Sequence, residues 1–479
     1  MNNKITFLSA IVIAIVGIAV SKLHSENINI VNNSDSQLSL EILRKAACDS
    51  DLLSYSDTRC QTFHSPNENN CQVAVSFASM IDLRVRLSEV VKFLNPPQQA
   101  KYHTAIANKQ EFVETLASCF SDGTAAEFRV DKATYDEILG IIDKVHSHRN
   151  LGGNAMMMAI RLAQEGCKTF ISSPLTAEMT NYFHSRLIPL NDLIEVSDYH
   201  IVFEYAEGET WGKFTAPRSN RFYANHDIEN THPKAFSGLE NLGAKVNLVA
   251  IGGLQLIQGS EHEKEFIKSM IKVIDKLNSQ KVKIHVEMGD FHNNQFYEEL
   301  QKIFIKADSI GLNEQELGKL LSYLTGEKFR GYPSKATLEV YLPDLERLII
   351  VLKQKGFQTN RIHLHTVYSQ VVCSTSDWSE PLISAARSAL LSGQYACNTT
   401  DIQLSTVKFF KGSVSIHSEN KQQTAEFGAG KVTHCWNPIG EMRCCLALVP
   451  TCTKVVQVTA LGDNISATGL AYHNIINQV

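Results

Sequence analysis

Residues 246–251 read Val-Asn-Leu-Val-Ala-Ile and are followed at once by Gly252-Gly253. A short apolar run that ends in glycines is typical of a buried strand. In the next stretch, apolar residues recur at helical spacing: Phe266, Ile267, Met270, Ile271, Ile274 and Leu277. Residues 282–286, Val-Lys-Ile-His-Val, then form a second predicted strand. Two such strands with a helix between them make a βαβ unit, which predicts parallel pairing.

The same alternation extends in both directions along the chain. Downstream, the pattern predicts helices at 295–305, 314–324 and 342–355 and strands at 309–312 and from 361. Upstream, it predicts strands at 73–78, 168–172, 199–205 and 214–224 and a helix at 154–165, with Asp82 in the turn that follows the first of these strands. We therefore predict an α/β fold with a mainly parallel central sheet and helices on both faces. Ligands bind such sheets beyond the carboxyl ends of the strands.

Composition and charge are those of an ordinary globular protein. The chain has 479 residues, of which 44% are hydrophobic and 20% charged, and a net charge of −5. The length suits two or three average domains, or one large α/β domain with a smaller lid. There is no basic excess of the kind that nucleic-acid surfaces show, so we expect no nucleic-acid partner.

The N-terminus indicates export. Lys4 precedes an apolar run over residues 5–20 that Thr6, Ser9 and Gly17 interrupt. This pattern predicts a signal peptide over residues 1–22. An uncleaved signal anchor is the alternative, although the run is slightly shorter than the roughly 20 residues that a membrane span needs. Either way we expect the body of the protein to be secreted or in the secretory pathway, including the lumen of the endoplasmic reticulum.

Residues 23–70 are predicted to form an irregular leader with one short helix at 38–47, since they are rich in Ser, Asn and Asp. The chain has 11 cysteines, without zinc-type spacing. In an oxidising compartment some of them should pair, in a connectivity that the sequence leaves open. Among the sequons we predict glycosylation at Asn32 and Asn398 and expect Asn464 to be buried.

Polar residues stand where a predicted strand, 454–458, gives way to a predicted helix, 464–476. The connecting residues are Ala460, Leu461, Gly462 and Asp463. The free N–H groups of a helix start form an anion site, and phosphoryl transfer needs such a site beside a carboxylate that accepts a proton. The alternative is that Asp463 only caps the helix.

Two further carboxylates follow neighbouring strands. Glu287 ends the strand that contains His285, and Glu316 lies in the run Asn313-Glu314-Gln315-Glu316 after the next strand. Carboxylates so placed could hold a hydrated magnesium ion, which takes one or two carboxylates plus substrate phosphates. For each of them, the alternative is a helix cap or a solvated turn.

Gly152-Gly153-Asn154 precedes a predicted helix and would let the backbone approach a ligand closely. It lacks the Gly-x-Gly-x-x-Gly spacing of dinucleotide sites. A flexible turn with an Asn cap is the local alternative.

Together these motifs resemble those of the ADP-dependent glucokinases, particularly the animal form, within the ribokinase-like sugar kinases. The resemblance runs from about residue 73 to the C-terminus. The matching stretches are 152–155, 203–205, 211–212, 220–222, 226–227, 285–287, 312–316, 361–365, 461–463 and 465–466. Jointly they are specific, whereas no single one would be.

The resemblance implies a reaction in which ADP and D-glucose give AMP and D-glucose 6-phosphate, the first step of glycolysis. Asp463 would be the base for the sugar 6-hydroxyl. Glu287 and Glu316, with Asp463, would organise one water-bridged Mg²⁺ ion. The glucose-binding residues implied are Asp82, Glu127, Gly152, Gly153 and Asn154. The residues implied for the anion hole and the nucleotide are Ala460, Leu461, Gly462, Arg221 and Val449, the last beside the adenine.

The resemblance also implies a kinase domain over residues 71–479, with a small lid built from about 83–150 and 199–225. We expect a monomer whose partners are glucose and ADP, with no stable membrane partner unless the N-terminus is an uncleaved anchor.

Two alanines depart from the family pattern. Ala78 replaces an Asn that usually precedes the sugar-binding Asp by four residues, and Ala460 replaces the first Gly of Gly-x-Gly-Asp. If position 460 needs a positive φ, alanine is strained there. A catalytically weakened sugar- or nucleotide-binding relative is therefore one alternative, and an ATP-using ribokinase-like sugar kinase is another.

Two smaller expectations concern histidine and methionine. We expect His363 and His365 to be a satisfied structural pair, because no third metal ligand is evident. Met156, Met157 and Met158 are expected to lie in a helix core.

Overall fold

The computed structural model describes most of the chain. The described residues are 33–48, 71–103, 105–124, 126–195, 199–217, 219–242, 245–289, 291, 294–328, 331–332, 338–378, 380–418, 421–428, 430–455 and 459–473. The predicted signal peptide (1–22), Asn32 and most of the leader lie outside them. None of the helices in the described part has both the length and the apolar character that a membrane crossing needs.

The strands fall into two main sheets and three short hairpins or bridges. In chain order they are β1 (Gln72–Ser76), β2 (Met80–Arg86), β3 (Ala126–Arg129), β4 (His148–Gly152), β5 (Lys168–Ser172), β6 (Leu187–Pro189), β7 (Tyr199–Tyr205), β8 (Thr210–Trp211), β9 (Phe214–Thr215), β10 (Asn220–Asn225), β11 (Leu248–Ile251), β12 (Lys283–Glu287), β13 (Ser309–Leu312), β14 (Arg361–His365), β15 (Ser369–Ser374), β16 (Val407–Lys408), β17 (Gly412–Ser418), β18 (Lys421–Phe427), β19 (Thr433–Ile439), β20 (Met442–Leu448) and β21 (Thr451–Cys452).

Helices connect these strands. In chain order they are α1 (Asn33–Ala46), α2 (Leu87–Val90), α3 (Lys109–Asp122), α4 (Lys132–Ile142), α5 (Asn154–Glu165), α6 (Ala177–Thr180), α7 (Glu263–Ser279), α8 (Asn294–Phe304), α9 (Glu314–Thr325), α10 (Leu338–Gln354), α11 (Pro381–Ala396) and α12 (Leu461–Ala471). Short 3₁₀ turns occur at Pro233–Asn241, Leu254–Ile257 and Leu404–Thr406.

The large sheet has ten strands in the order β19-β20-β15-β14-β13-β12-β11-β1-β5-β6. The strands from β14 to β6 pair in parallel, and the other three join antiparallel. Both faces are buried: Val73 and Val75 belong to one core cluster, while Ala74 between them belongs to the other. The predicted α/β fold with a mainly parallel, doubly covered sheet is confirmed.

The second sheet has five strands in the order β3-β10-β7-β2-β4. Its two faces differ because side chains alternate along each strand. On one face, Ile81, Leu83, Ile201 and Phe203 are buried in the apolar core with helices α3 and α4. The other face carries charged and polar side chains: Asp82, Arg84, Arg86, His148, Asn150, His200, Glu204, Arg221, Tyr223, Asn225, Glu127 and Arg129.

Several predicted elements have the predicted bounds, among them α5, β5, β7 and β13. Others need correction. Asp82 was expected in a turn but lies inside β2, hydrogen-bonded into the second sheet. Residues 454 and 455 are not strand, and 456–458 lie outside the described residues; the last strand described before Asp463 ends at Cys452. The following helix starts at Leu461 rather than at 464.

Four disulfides fasten the described part of the chain: Cys71–Cys167, Cys373–Cys444, Cys397–Cys452 and Cys435–Cys445. Two of them join directly opposed residues of β15, β20 and β19. Cys119 is a free, buried thiol. In the leader, α1 is longer than predicted, and Arg387 Nε donates to the Ala47 carbonyl (2.6 Å) just beyond it.

Candidate active site

The candidate site is built where two helices begin side by side. Asn154 is the first residue of α5, and Asp463 lies in the first turn of α12. Asn154 Nδ2 donates to Asp463 Oδ1 over 2.8 Å. At the far ends of the same helices, Glu165 accepts hydrogen bonds from Thr468 (3.0 Å) and Tyr472 (2.9 Å), which keeps the helices aligned. The positive ends of two helix dipoles therefore point to one place.

Neighbouring groups fix the direction of the Asn154 amide. Gln255 Nε2 donates to Asn154 Oδ1 (3.1 Å), so the Asn154 NH₂ group faces Asp463. Gly252 makes room, since a Cβ there would lie 2.9 Å from Asn154 Cβ. Gly153 has φ 90°, a conformation that favours glycine, and starts α5.

Asp463 has the properties of a base that works near neutral pH. Burial, and then the negative charge of Glu287, raise its pKa to about 7, against a smaller lowering by the Asn154 hydrogen bond and by His365. The side chain still has some access to solvent. A carboxylate with a pKa close to the working pH is well suited to accept a proton in a transition state.

The residues before Asp463 shape an anion site. The N–H groups of Leu461 and Gly462 belong to the first turn of α12 and so have no acceptor within the helix. Gly462 approaches His365 closely, as a Cβ there would lie 3.2 Å from its ring. Ala460 caps the helix with φ 58°. Position 460 therefore does adopt a positive φ, and alanine is strained there. Asn464 is buried (3% exposed), as expected.

Ala78 is the second alanine with a left-handed backbone, at φ 52°. Its carbonyl accepts the N–H of Ala155 (3.2 Å), and a Cβ on Gly153 would lie 2.2 Å from that oxygen. The loop after β1 is therefore packed tightly against the start of α5.

Glu287 ends β12 and is held at both oxygens. Oε1 lies 2.9 Å from His365 Nε2, and Oε2 lies 3.1 Å from His285 Nε2. Burial alone would raise the pKa of Glu287, but these two hydrogen bonds outweigh it and hold the pKa well below the usual range. A Cβ on Gly311 would lie 2.0 Å from Glu287 Oε2, so only glycine fits on the adjacent strand. Glu287 is thus a fixed anion.

His365 and His363 do not form the satisfied pair that we expected. His365 bonds to Glu287 and belongs to the site. Both ring nitrogens of His363 lack a hydrogen-bond partner in the described part of the chain. The expectation is wrong for His363, because helix α12 packs against its ring at Gly469, where a Cβ would lie 2.8 Å away. Burial lowers its pKa, which keeps the ring neutral.

Glu316 lies at the start of α9 in a capping box. Its Oε2 accepts the N–H of Asn313 (2.9 Å), while Asn313 Oδ1 accepts the N–H groups of Gln315 and Glu316 (both 2.9 Å). The cap considered from sequence is therefore real. Burial raises the pKa of Glu316 to about 8, with contributions from the charges of Glu287 and Glu314 against a lowering by His365. Burial also raises the pKa of Glu314.

These carboxylates fit a hydrated cation better than a directly bound one. In the described part of the chain, no group of three or more His, Cys, Asp or Glu side chains is arranged to hold a metal ion. Yet the charge of Glu287 acts on both Asp463 and Glu316 and raises their pKa values. A cation among the three would relieve this repulsion, and Mg²⁺ commonly keeps several waters and takes few protein carboxylates.

A second polar cluster lies on the face of the five-stranded sheet that is opposite its apolar core. Asp82 is buried, and a Cβ on Gly152 would lie 2.5 Å from its Oδ1. His200 stands opposite Asp82 in the sheet; its Nε2 lies 3.0 Å from Asp227 Oδ2 and its Nδ1 3.5 Å from Glu127 Oε1. Burial raises the pKa of Asp82 to about 6. The charge of Glu127 also raises it, while the charges of His200, Arg84 and Arg221 lower it. Three carboxylates thus surround one histidine.

His200 is a residue of this cluster that the sequence reading missed. Burial lowers its pKa, but the hydrogen bond and charge of Asp227, with Glu127 and Asp82, outweigh burial and raise the pKa to about 9. The available signal was the alternation in strand 199–205, which puts His200 on the face opposite the apolar Ile201 and Phe203 and on the same face as Asp82. Gln255, which orients Asn154, was also missed.

Arg221 and Val449 lie on or directly after elements of the fold other than the helix that carries Asp463. Arg221 is on β10 with the Asp82 cluster, where its charge acts on Asp82 and its guanidinium lies 5.6 Å from the Tyr223 ring centroid. Its buried Nε has no hydrogen-bond partner among the described residues. Val449 follows β20, is buried, and donates its N–H to the Tyr368 carbonyl (2.9 Å).

Known proteins resemble this chain over most of its length. The region described as "ADP-specific Phosphofructokinase/Glucokinase conserved region" matches residues 71–472. The "ADP-dependent glucokinase" of Bos taurus is 25% identical over 434 residues, covering 84% of each chain. The "Probable ADP-dependent glucokinase" of Caenorhabditis elegans is 27% identical over 436 residues, covering 84% of this chain and 85% of its own.

Solved structures agree with the fold. An ADP-dependent kinase in complex with fructose-6-phosphate and ADPβS superposes with a TM-score of 0.61 at 15% identity, covering 93% of this chain and 99% of its own. A hypothetical ADP-dependent phosphofructokinase from Pyrococcus horikoshii gives a TM-score of 0.58 at 16% identity, with 85% and 98% coverage. At these identities the likeness concerns the fold alone.

Proposed function

This chain belongs to the ADP-specific phosphofructokinase/glucokinase family, and we propose that it phosphorylates D-glucose with ADP, releasing AMP and D-glucose 6-phosphate. The observation that carries the proposal is the carboxylate of Asp463, held by Asn154 at the meeting of two helix N-termini. The names of the Bos taurus and Caenorhabditis elegans relatives support ADP as the donor and glucose as the acceptor.

In this reaction the sugar 6-hydroxyl oxygen attacks the β-phosphorus of ADP. A new O–P bond forms, the bond from that phosphorus to the bridging oxygen breaks, and AMP leaves with the bond electrons. The proton of the hydroxyl passes to Asp463, whose pKa of about 7 suits this role. Asn154 keeps the accepting carboxylate in place through its 2.8 Å hydrogen bond.

The start of α12 takes the charge of the transferring group. The N–H groups of Leu461 and Gly462 are free of intrahelical acceptors, and the helix dipole adds positive potential. Fixed donors of this kind stabilise phosphoryl oxygens in the transition state without reorganisation. The left-handed backbone of Ala460 gives the first turn its direction.

We assign the Asp82 cluster to the sugar. Carboxylates and a histidine at fixed positions can accept and donate hydrogen bonds to several hydroxyls at once, and Asp82, Glu127 and His200 offer both. Gly152 and Gly153 let the backbone come close to the ring, with Asn154 between the sugar and Asp463. Arg221 adds a cation on the same face, available to a phosphate or a sugar oxygen.

We propose that Glu287 and Glu316, with Asp463, would hold one water-bridged Mg²⁺ ion. When bound, such an ion would neutralise charge on the phosphate oxygens. The support is the fixed negative charge of Glu287, which raises the pKa values of both Asp463 and Glu316. Val449, buried beyond β20, would border the adenine.

We further propose that the five-stranded sheet and its helices act as a lid over the sugar. The lid would be built from about 83–150 and 199–225, within a kinase domain that covers residues 71–479. Closing it over the ends of the large sheet would exclude water, so that phosphate passes to the sugar rather than to solvent. We expect the protein to act as a monomer.

We propose that the protein enters the secretory pathway. The four disulfides of the described chain are of the kind that forms in oxidising compartments. The exposed Asn398, at the end of α11, is available for glycosylation. We expect glycosidase treatment to shift the electrophoretic mobility of the secreted or lumenal protein. We expect no shift in a variant in which both Asn398 and Asn32 are changed to Gln.

The test of the function is a donor comparison on purified, disulfide-bonded protein. Glucose, glucosamine and fructose 6-phosphate are offered with ADP–Mg²⁺ and with ATP–Mg²⁺, and the phosphorylated sugar and AMP are measured. We expect glucose 6-phosphate and AMP in equal amounts from ADP. Preference for ATP would favour the ribokinase-like alternative, and glucose binding by calorimetry without turnover would favour the weakened binding protein.

A further inference from the structure

Arg361 on β14 is a fully buried cation whose direct contacts are all neutral. Its Nε donates to His473 Nδ1 (2.6 Å), and its two terminal nitrogens donate to Ser309 Oγ (3.0 Å) and Ser384 Oγ (3.5 Å). Its guanidinium lies 5.5 Å from the Trp378 ring centroid. No salt bridge joins it to a carboxylate in the described part of the chain. A buried charge without an opposite charge is costly, so its compensation must lie further away.

The compensation lies along a hydrogen-bonded path to Glu287. Ser309 Oγ lies between Arg361 and His285, 2.8 Å from His285 Nδ1. The other ring nitrogen of His285 lies 3.1 Å from Glu287 Oε2. The path follows the sheet register, because Arg361 stands opposite Ser309 on β13, and Ser309 stands opposite His285 on β12.

Donor and acceptor rules give the path a direction. Arginine can only donate, and an ionised carboxylate can only accept. With a neutral imidazole, His285 must donate from Nε2 to Glu287, and its Nδ1 must then accept from the Ser309 hydroxyl. Ser309 Oγ accepts in turn from Arg361. Every hydrogen bond therefore points from the cation towards the anion.

We propose that Arg361 is a positioning residue of the active site: acting through Ser309 and His285, its buried charge fixes the orientation of the Glu287 carboxylate. Arg361, Ser309 and His285 are all fully buried, so they act through Glu287 rather than on a ligand directly. It sets one oxygen of Glu287, while His365 sets the other at 2.9 Å. This inference rests on the proposed function insofar as Glu287 serves the metal ion.

The matched pair of variants is Ser309→Ala and Ser384→Ala. Each variant removes, at a fully buried position, a hydroxyl that accepts a hydrogen bond from Arg361. Only Ser309 lies on the path to Glu287, whereas Ser384 donates to the Gly469 carbonyl (2.7 Å) instead. A purely structural role for Arg361 predicts similar behaviour of the two variants.

The first readout is the dependence on Mg²⁺. Removing a residue that hydrogen-bonds to a metal ligand typically lowers metal affinity by about 10- to 100-fold. We expect Ser309→Ala to raise the Mg²⁺ concentration for half-maximal rate by about tenfold or more and to leave glucose affinity unchanged. Calorimetry of ADP binding with and without Mg²⁺ should show the same loss. Ser384→Ala should match the wild type, and equal losses in both variants would overturn the proposal.

The second readout needs neither metal nor activity. In ¹⁵N-histidine-labelled, metal-free protein, we expect His285 to be in the form protonated at Nε2, and we expect Ser309→Ala, but not Ser384→Ala, to disturb that signal. An unchanged His285 signal in Ser309→Ala overturns the path. If Ser309→Ala does not fold, Ser309→Cys serves with the same two outcomes. If the wild type proves inactive with ADP, the proposed function fails while this readout still decides the path.

Discussion

The two sheets of this molecule present functional side chains in different ways. In the ten-stranded sheet both faces are buried, so its candidate residues lie at a strand end (Glu287) or in the first turn of the following helix (Glu316). Asp463 likewise lies in the first turn of a helix, α12, which follows the short strand β21 outside this sheet. In the five-stranded sheet one face carries the apolar core, and candidate residues stand in mid-strand on the other, polar face, such as Asp82 and His200. In the proposed function, the strand ends and helix starts carry the chemistry, and the five-stranded sheet carries the sugar contacts.

This difference is physical. A parallel sheet covered on both sides leaves ligands access only beyond its carboxyl ends. A sheet with one open face offers every second residue of each strand. Changes in the first sheet should therefore affect turnover, and changes in the second should affect sugar affinity.

Asp463→Asn should have the largest effect. Removal of a general base typically costs about 10²- to 10⁴-fold in rate, so we expect kcat to fall by about a thousandfold. The measurement is steady-state release of AMP and glucose 6-phosphate. If turnover stays within about tenfold of wild type, a barrier change near 1.4 kcal/mol, Asp463 is not the base.

Asp82→Asn should act mainly on sugar binding. The loss of a hydrogen bond to a charged acceptor costs about 1.5–3 kcal/mol, or roughly 10- to 150-fold in glucose affinity. At saturating glucose, kcat should fall much less. Steady-state rates over a glucose series separate the two, and a fall in kcat with unchanged KM would contradict the division between the sheets.

Asp463 also makes a prediction about stability and pH. Its pKa in the folded protein, about 7, lies above its unfolded value, so its charged form is disfavoured in the fold. Between the unfolded pKa of about 3.8 and the folded pKa of about 7, the folded protein keeps a proton that the unfolded chain has lost, so Asp463 destabilises the protein progressively as pH rises over this range. The penalty is complete above about pH 7 and absent below about pH 4. In metal-free protein, Asp463→Asn should melt at a higher temperature than wild type at pH 8, and the gap should narrow at lower pH and close towards about pH 4. A gap independent of pH would refute the raised pKa.

Ala460→Gly should give the smallest effect, and it is stabilising. Alanine at φ 58° bears a left-handed strain that glycine avoids, partly offset by the entropy of glycine in the unfolded chain. We expect a gain of about 1 kcal/mol in unfolding free energy, with kcat retained or raised. Urea unfolding provides the measurement, and a loss of stability would show that the turn accommodates alanine without strain.

Much of the large sheet could be predicted from the sequence because its elements have clear signals. Strand 248–251 is an apolar run, and helix 154–165 has helical spacing after two glycines. Glu287 and Glu316 could be singled out because one ends a strand and the other follows one. Asp463 could be singled out because a helix starts there, although the strand predicted before it is absent at 454 and 455. The rule that ligands bind beyond strand ends then brought them together.

The rest depends on contacts between residues far apart in the chain. Asn154 and Asp463 are 309 positions apart, and no local pattern shows that one orients the other. His200 gains its partners from elsewhere in the chain: Asp227 lies just after β10, and Glu127 lies on β3. Asp82 was assigned to a turn because β2 carries charged residues on one face and so lacks the continuous apolar run of a strand buried on both sides.

The most direct test of the account is the glucose affinity of the Asp463→Asn variant, measured by calorimetry. Since we assign the sugar contacts to the five-stranded sheet, we expect the dissociation constant to stay within about threefold of wild type, a change below about 0.7 kcal/mol, although turnover is lost. A loss of affinity of tenfold or more would place Asp463 among the sugar contacts and contradict its role as the base.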